Sequence, residues 1–205
     1  YYQANNFRWD NSFSKQDNFS ATIAYTQKKL NAGIVYMQLG NYIYLDGNAL
    51  PAQYTNKFNV YRIYLNRQQW LWKFCLNGKF IYQQSSNKDI LRLPDFAANL
   101  SLFFRSWIFK KAAKIQPGID FFYNTSYYAN AYIPALRSFH LQNEKELGNY
   151  VYMDVYLMLR VKRAVIFLKY QHFNSLFGDY RYFMVPHYPM QDAAFKFGVS
   201  WKFFN

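Results

Sequence analysis

From Phe195 to Phe203 every odd position is apolar or aromatic (Phe195, Phe197, Val199, Trp201, Phe203). Lys196, Gly198, Ser200 and Lys202 fill the even positions. Successive side chains of an extended strand point to opposite faces, so this run is one strand with a greasy face and a polar face. A half-buried strand of a soluble sheet alternates in the same way. Large aromatics gathered on one face and at the strand end suit another setting, in which the outer face touches hydrocarbon and the end lies in an aromatic belt.

Composition points the same way. Aromatic residues make up 23% of the chain, with 21 Tyr and 21 Phe, yet mean hydropathy is only −0.31. No run of about 18 apolar residues occurs, which excludes a transmembrane helix. Alternating strands keep hydropathy low because each lipid-facing residue is followed by a polar one. Tyr and Trp favour membrane interfaces, where one part of the ring is dry and another wet. A soluble all-β sandwich is the alternative, and it would leave many aromatics as exposed patches. The formal charge of +13 raises nucleic acid as a partner. The basic residues form no helix cluster or stacking platform, so none is expected. The single Cys75 excludes an internal disulfide and a cysteine-rich zinc site, and no cofactor is expected. The sequence opens at Tyr1 without Met or leader, so a processed or truncated start is expected for an exported protein.

Periodicity predicts about nine strands. Residues 7–25 keep one parity (Phe7, Trp9, Phe13, Phe19, Ala21, Ile23, Tyr25) and read as one long strand with room for a bend at 14–18. Further strands are expected at 30–39, 58–66, 70–84, 97–109, 115–123, 150–161 and 164–173, before the C-terminal one. In the fourth, Trp70, Trp72, Phe74, Leu76, Phe80 and Tyr82 face one way; Lys73, Cys75, Asn77, Lys79 and Gln83 face the other. Connections alternate between short, near Lys28, 66–69, 110–114 and 162–163, and long, around residues 48, 90, 135 and 182. Short turns collect Lys28, Lys29, Arg67, Lys110, Lys111, Lys114, Lys162 and Arg163 without a carboxylate. Seven of the 11 acidic residues (Asp46, Asp89, Asp95, Glu144, Glu146, Asp179, Asp192) lie in the long loops. Such alternation is the habit of outer-membrane barrels, with tight periplasmic turns and longer external loops. The C-terminus is then periplasmic. An odd strand number leaves an edge that lipid cannot satisfy, so a single domain over 1–205 is expected to be the C-terminal portion of a larger barrel.

Lys196-x-Gly198-x-x-Trp201-x-Phe203 resembles the C-terminal signal that the bacterial outer-membrane assembly machinery reads in barrel substrates, with Phe204 and Asn205 following the usual terminal aromatic. Over nearly the whole chain, Phe7-Arg8-Trp9-Asp10-Asn11, Asn41-Tyr42-Ile43-Tyr44, Ala49-Leu50-Pro51-Ala52-Gln53, residues 85–94 and His187-Tyr188-Pro189-Met190 resemble the putative porins of the Bacteroidota. Members of that family are longer, so the likeness is to their C-terminal part. It implies a transmembrane antiparallel meander β-barrel in the outer membrane. Its partners would be lipid, lipopolysaccharide, the assembly machinery and other outer-membrane proteins.

The inward faces carry the functional hint. Arg62, Lys73, Lys79, Arg105, Arg160, Lys169, Lys196 and Lys202 are assigned inward, against Asp120 and Asp154. A hydrated lumen so lined would favour anions among diffusing small polar solutes. Trp70, Trp72, Phe74, Phe195, Phe197, Trp201 and Phe203 are assigned to the lipid face. A second function class is a structural barrel subunit of a larger outer-membrane complex, with loop tyrosines (Tyr127, Tyr128, Tyr132, Tyr180, Tyr182) as anchors. A third, a hydrolase, would rest on His172 with Ser175. No His stands at metal-ligand spacing, and no enzymatic activity is expected.

Overall fold

A computed structural model describes residues 2–4, 7–178 and 182–203. Asp179, Tyr180, Phe204 and Asn205 lie outside the described residues. Nine antiparallel strands form one meander sheet in which each pairs with its sequence neighbours. They are β1 (Asp17–Gln27), β2 (Leu30–Gly40), β3 (Phe58–Leu71), β4 (Phe74–Ser85), β5 (Phe96–Phe104), β6 (Ala113–Asn124), β7 (Tyr150–Val161), β8 (Ala164–Gln171) and β9 (Ala194–Trp201). The segment Ser106–Ile108 continues β5. Phe103 lies opposite Gly118 and Ser106 opposite Ile115, one unbroken register along β6. Among the described residues no ladder joins β1 to β9, so the sheet has two free edges.

The register sorts side chains into two faces. Tyr61, Ile63 and Leu65 stand with Ile34, Tyr82, Leu102, Val151, Leu157, Leu168 and Phe197 on one; Arg62, Asn66, Lys79, Asn99, Gln116, Asp120, Asp154 and Lys169 share the other. In the middle of the sheet, along β3 and at Phe74, Leu76 and Tyr82 of β4, the apolar face is the exposed one. Along β3 the odd residues from Tyr61 to Gln69 are exposed and the even ones from Arg62 to Trp70 half-buried. Ile23 is 82% exposed, Phe197 74% and Trp201 58%. A soluble sheet buries its apolar face, and the middle of this one does the reverse.

Conventional burial is concentrated in the loop end. Phe58, Val60, Ala129, Ala131 and Leu147 are buried beneath connections that carry small hairpins, Tyr42–Leu45 with Pro51–Tyr54 and Ala131–Ile133 with Ser138–His140. These loops bind one another. The Leu141 N–H donates to the Leu45 carbonyl at 3.0 Å. Arg92 reaches the Gln142 carbonyl, and its second terminal nitrogen donates to Asn143 Oδ1 at 2.8 Å. Opposite them lie the short turns at Lys28–Lys29, Trp72–Lys73, Phe109–Ala112 and Lys162–Arg163.

Two expectations change. The predicted first strand over 7–25 is two pieces: Phe7–Trp9 pairs with Tyr2–Ala4, and β1 begins at Asp17. Between them the chain bonds to loop side chains. Ser14 N–H donates to Gln53 Oε1, and Asn41 Nδ2 donates to the Lys15 carbonyl. Polar segments of this kind readily exchange ladder bonds for side-chain ones. The second change is the second short turn, at Trp72–Lys73 rather than 66–69. Arg67 and Gln68 keep ladder partners on β4 (Gly78 and Asn77), so β3 runs to Leu71.

Candidate solute path

The Trp72–Lys73 turn decides where Trp70 points. A two-residue turn pairs Leu71 with Phe74 and Trp70 with Cys75, so even positions on β3 share a face with odd positions on β4. The unbroken parity Trp70, Trp72, Phe74 therefore divides across the hairpin. Trp70 lies on the polar face against Phe103, ring centroids 5.6 Å apart, instead of on the apolar one. Trp72 occupies the turn at φ 55°, 77% exposed. Phe74, Phe195, Phe197 and Trp201 stand on the apolar face, and exposed Phe203 stacks on Trp201 just beyond β9.

Six of the eight proposed lining cations share the polar face. Arg62 Nε donates to Gln83 Oε1 at 3.1 Å. Lys79 stands between Asn66 and Asn99. Arg105 Nε donates to Gln116 Oε1 at 2.8 Å, with its guanidinium 5.0 Å from both the Trp70 and Phe103 ring centroids. Arg160 lies opposite Lys114 and Val165. Lys169 lies opposite Lys196 and pairs with Asp154 at 2.7 Å. The other two are not on the wall. Lys73 sits in the β3–β4 turn, its Nζ 4.7 Å from the Trp72 ring centroid, and Lys202 follows β9, where its N–H donates to the Arg163 carbonyl.

Within the C-terminal motif, Gly198 has a packing reason. It lies directly opposite Phe167, and a Cβ built there would come 2.5 Å from that ring. Gly33 under Tyr64 and Gly118 under Tyr156 repeat the arrangement. Each ring lies across a glycine on the neighbouring strand of the polar face, covering backbone that would otherwise be bare.

The β8–β9 connection comes back over this face. A cavity of about 570 Å³ is lined by Asp120, Asp154, Lys169 and Tyr152 from the sheet and by Met184 and Met190 from that loop. His172, buried, anchors the loop. Its N–H donates to Asp154 Oδ1 at 2.8 Å, and its imidazole sits 2.6 Å from the Gln191 carbonyl and 2.7 Å from Tyr150 Oη. The Ser175 hydroxyl donates to the His172 carbonyl, not its ring, so the two do not form a nucleophile–base pair. Sequence reasoning missed the Asp154–Lys169–His172 cluster because its members lie on three elements with no fixed spacing. Two loop tyrosines are engaged internally: Tyr182 stacks on Tyr150 at 3.4 Å, and Tyr132 packs between Phe139 and Tyr188. Burial pushes the Tyr127 hydroxyl above its ordinary pKa in the same loop layer.

Comparison with known proteins places the geometry in a family. No curated protein and no solved structure matches the chain. The family described as putative porin matches residues 1–205, the full length of the chain. With that match over a two-faced meander sheet, the chain belongs to the putative porin family, a group of porin-like outer-membrane proteins.

Proposed function

We propose that the sheet is one wall of a transmembrane β-barrel in the outer membrane of a diderm bacterium, through which small polar solutes, anions above cations, diffuse passively. The observation that carries this reading is the inverted burial along β3: Tyr61, Ile63 and Leu65 exposed on one face, Arg62, Tyr64 and Asn66 half-buried on the other. Hydrocarbon outside and water inside would satisfy both faces. The free edges of β1 and β9 would leave backbone groups unpaired in lipid, so further strands of a longer chain complete the tube. Short turns face the periplasm together with the C-terminus, long loops face outside, and the exposed Trp72, Phe109 and Trp201 lie at the level of lipid headgroups. Lipid, lipopolysaccharide and the assembly machinery are the partners this topology calls for.

Selectivity follows from Arg62, Lys79, Arg105, Lys114, Arg160, Lys169 and Lys196 sharing one face with two carboxylates, one of which Lys169 neutralises. No catalytic group is required. The structural-subunit reading has less support, since Tyr132 and Tyr182 are spent on intramolecular stacking. Reversal potential of the full-length protein in planar bilayers under a salt gradient tests the proposal. Anion selectivity is expected; a cation-selective conductance, or none, refutes it.

A further inference from the structure

Positive charge is concentrated at the turn end of the polar face. Lys114 on β6 and Arg160 on β7 lie directly opposite one another, and Trp107 lies opposite Lys114 on its other side. Like charges facing across a ladder destabilise it. No Asp or Glu occurs within 66–79, 104–116 or 158–166 to offset them. Two adjoining cavities, about 650 and 590 Å³, share Trp107, Lys111 and Lys114. The larger adds Arg105, Lys73 and Lys110, the smaller adds Arg160 and Lys162, and neither is lined by a carboxylate. Aromatic faces hold these cations in place: Lys114 Nζ is 5.4 Å from the Trp107 ring centroid, and Arg105 lies over Trp70.

The geometry points to a binding site for a phosphate-bearing ligand at this end of the polar face, held chiefly by Lys111, Lys114 and Arg160. The two or more non-bridging oxygens of a phosphate, free or esterified, can meet two facing cations at once. The guanidinium fork of Arg160 matches two phosphate oxygens, and the lysines add point charges. The site deepens the solute-path reading above, on which it rests only for water reaching this end of the polar face. The phosphate comes from a lipid headgroup or from a soluble molecule, and the two sources are separable by experiment.

Full-length protein in detergent micelles is titrated with inorganic pyrophosphate at low salt by calorimetry. Native mass spectrometry then counts phosphatidylglycerol retained after release from mixed phosphatidylglycerol–phosphatidylcholine nanodiscs. Saturable binding is expected, weakened about tenfold or more by Lys114→Gln with Arg160→Gln and unchanged by Lys28→Gln with Lys29→Gln, which removes equal charge from the β1–β2 turn, away from the site. Arg160→Lys, which keeps the charge and loses the fork, weakens binding by less. Pyrophosphate binding without lipid retention identifies a soluble ligand; retention of phosphatidylglycerol alone, lost in the Lys114/Arg160 variant, identifies a headgroup. Loss of neither in that variant, or equal loss in the Lys28/Lys29 variant, overturns the site. Binding is read without ion flow, so a protein that fails to conduct leaves this test standing. The Lys114/Arg160 substitution removes a repulsive pair and is expected to fold, as gel-shift heat modifiability verifies.

Discussion

Replacing Ile63 with arginine separates a lipid-facing surface from a water-facing one. Ile63 sits in the middle of β3, 51% exposed, with Ile34 and Tyr82 directly opposite on the neighbouring strands. On a soluble protein an exposed isoleucine changed to arginine shifts stability by about 0.5 kcal/mol or less. On the hydrocarbon face of a barrel the same change costs about 2–4 kcal/mol near the bilayer midplane. That corresponds to a factor of about 30 to 800 in the folding equilibrium. The assay is reversible urea unfolding of the full-length protein in lipid vesicles, followed by tryptophan fluorescence. Arg62→Gln, one residue away on the polar face and bonded to Gln83, is the matched control. Its expected cost is about 1 kcal/mol. An Ile63→Arg protein as stable in vesicles as the parent would refute the assignment of this face to lipid.

Gly198→Val places a side chain where the Phe167 ring lies, so destabilisation of about 1–3 kcal/mol and a smaller heat-modifiable fraction are expected. Asp154→Asn removes the ion pair to Lys169 and weakens the bond from the His172 N–H; hydrogen exchange of the 182–191 loop should rise about tenfold, with β3 unaffected. Arg62→Gln with Lys79→Gln removes two cations from the middle of the polar face. The anion-to-cation permeability ratio should fall while the protein stays folded, and an unchanged ratio would place ion flow elsewhere. Neutralising the solvent-exposed Lys88–Asp95 pair is expected to leave stability unchanged in urea titration.

Strands without interruption were legible from alternation. β7 and β9 alternate without a break in parity, and their faces fall where a period of two puts them. Ser106–Ile108 also continues β5 across Arg105 as the pattern of 97–109 implies. Trp70 was not legible, because a two-residue turn exchanges parity between strands and the aromatic run passes through the turn without a break. Residues 10–16 were misread because an apolar residue at Phe13 preserved parity where the backbone makes no ladder. The loop layer was invisible for another reason. Arg92 with Asn143, Leu45 with Leu141 and Asp154 with Lys169 and His172 join residues from separate connections or strands, and no local spacing encodes such pairs. Lining cations were found through parity alone, so the two that lie outside the strands, Lys73 and Lys202, were assigned with the rest.

Spin labels at single cysteines from 61 to 66 in vesicles, with Cys75→Ala as background, test the division of faces most directly. Oxygen, which partitions into lipid, should broaden the labels at 61, 63 and 65. A water-soluble nickel chelate should broaden those at 62, 64 and 66, the two profiles being out of phase with a period of two. Profiles in phase, or nickel accessibility greatest at the odd positions, would contradict the account.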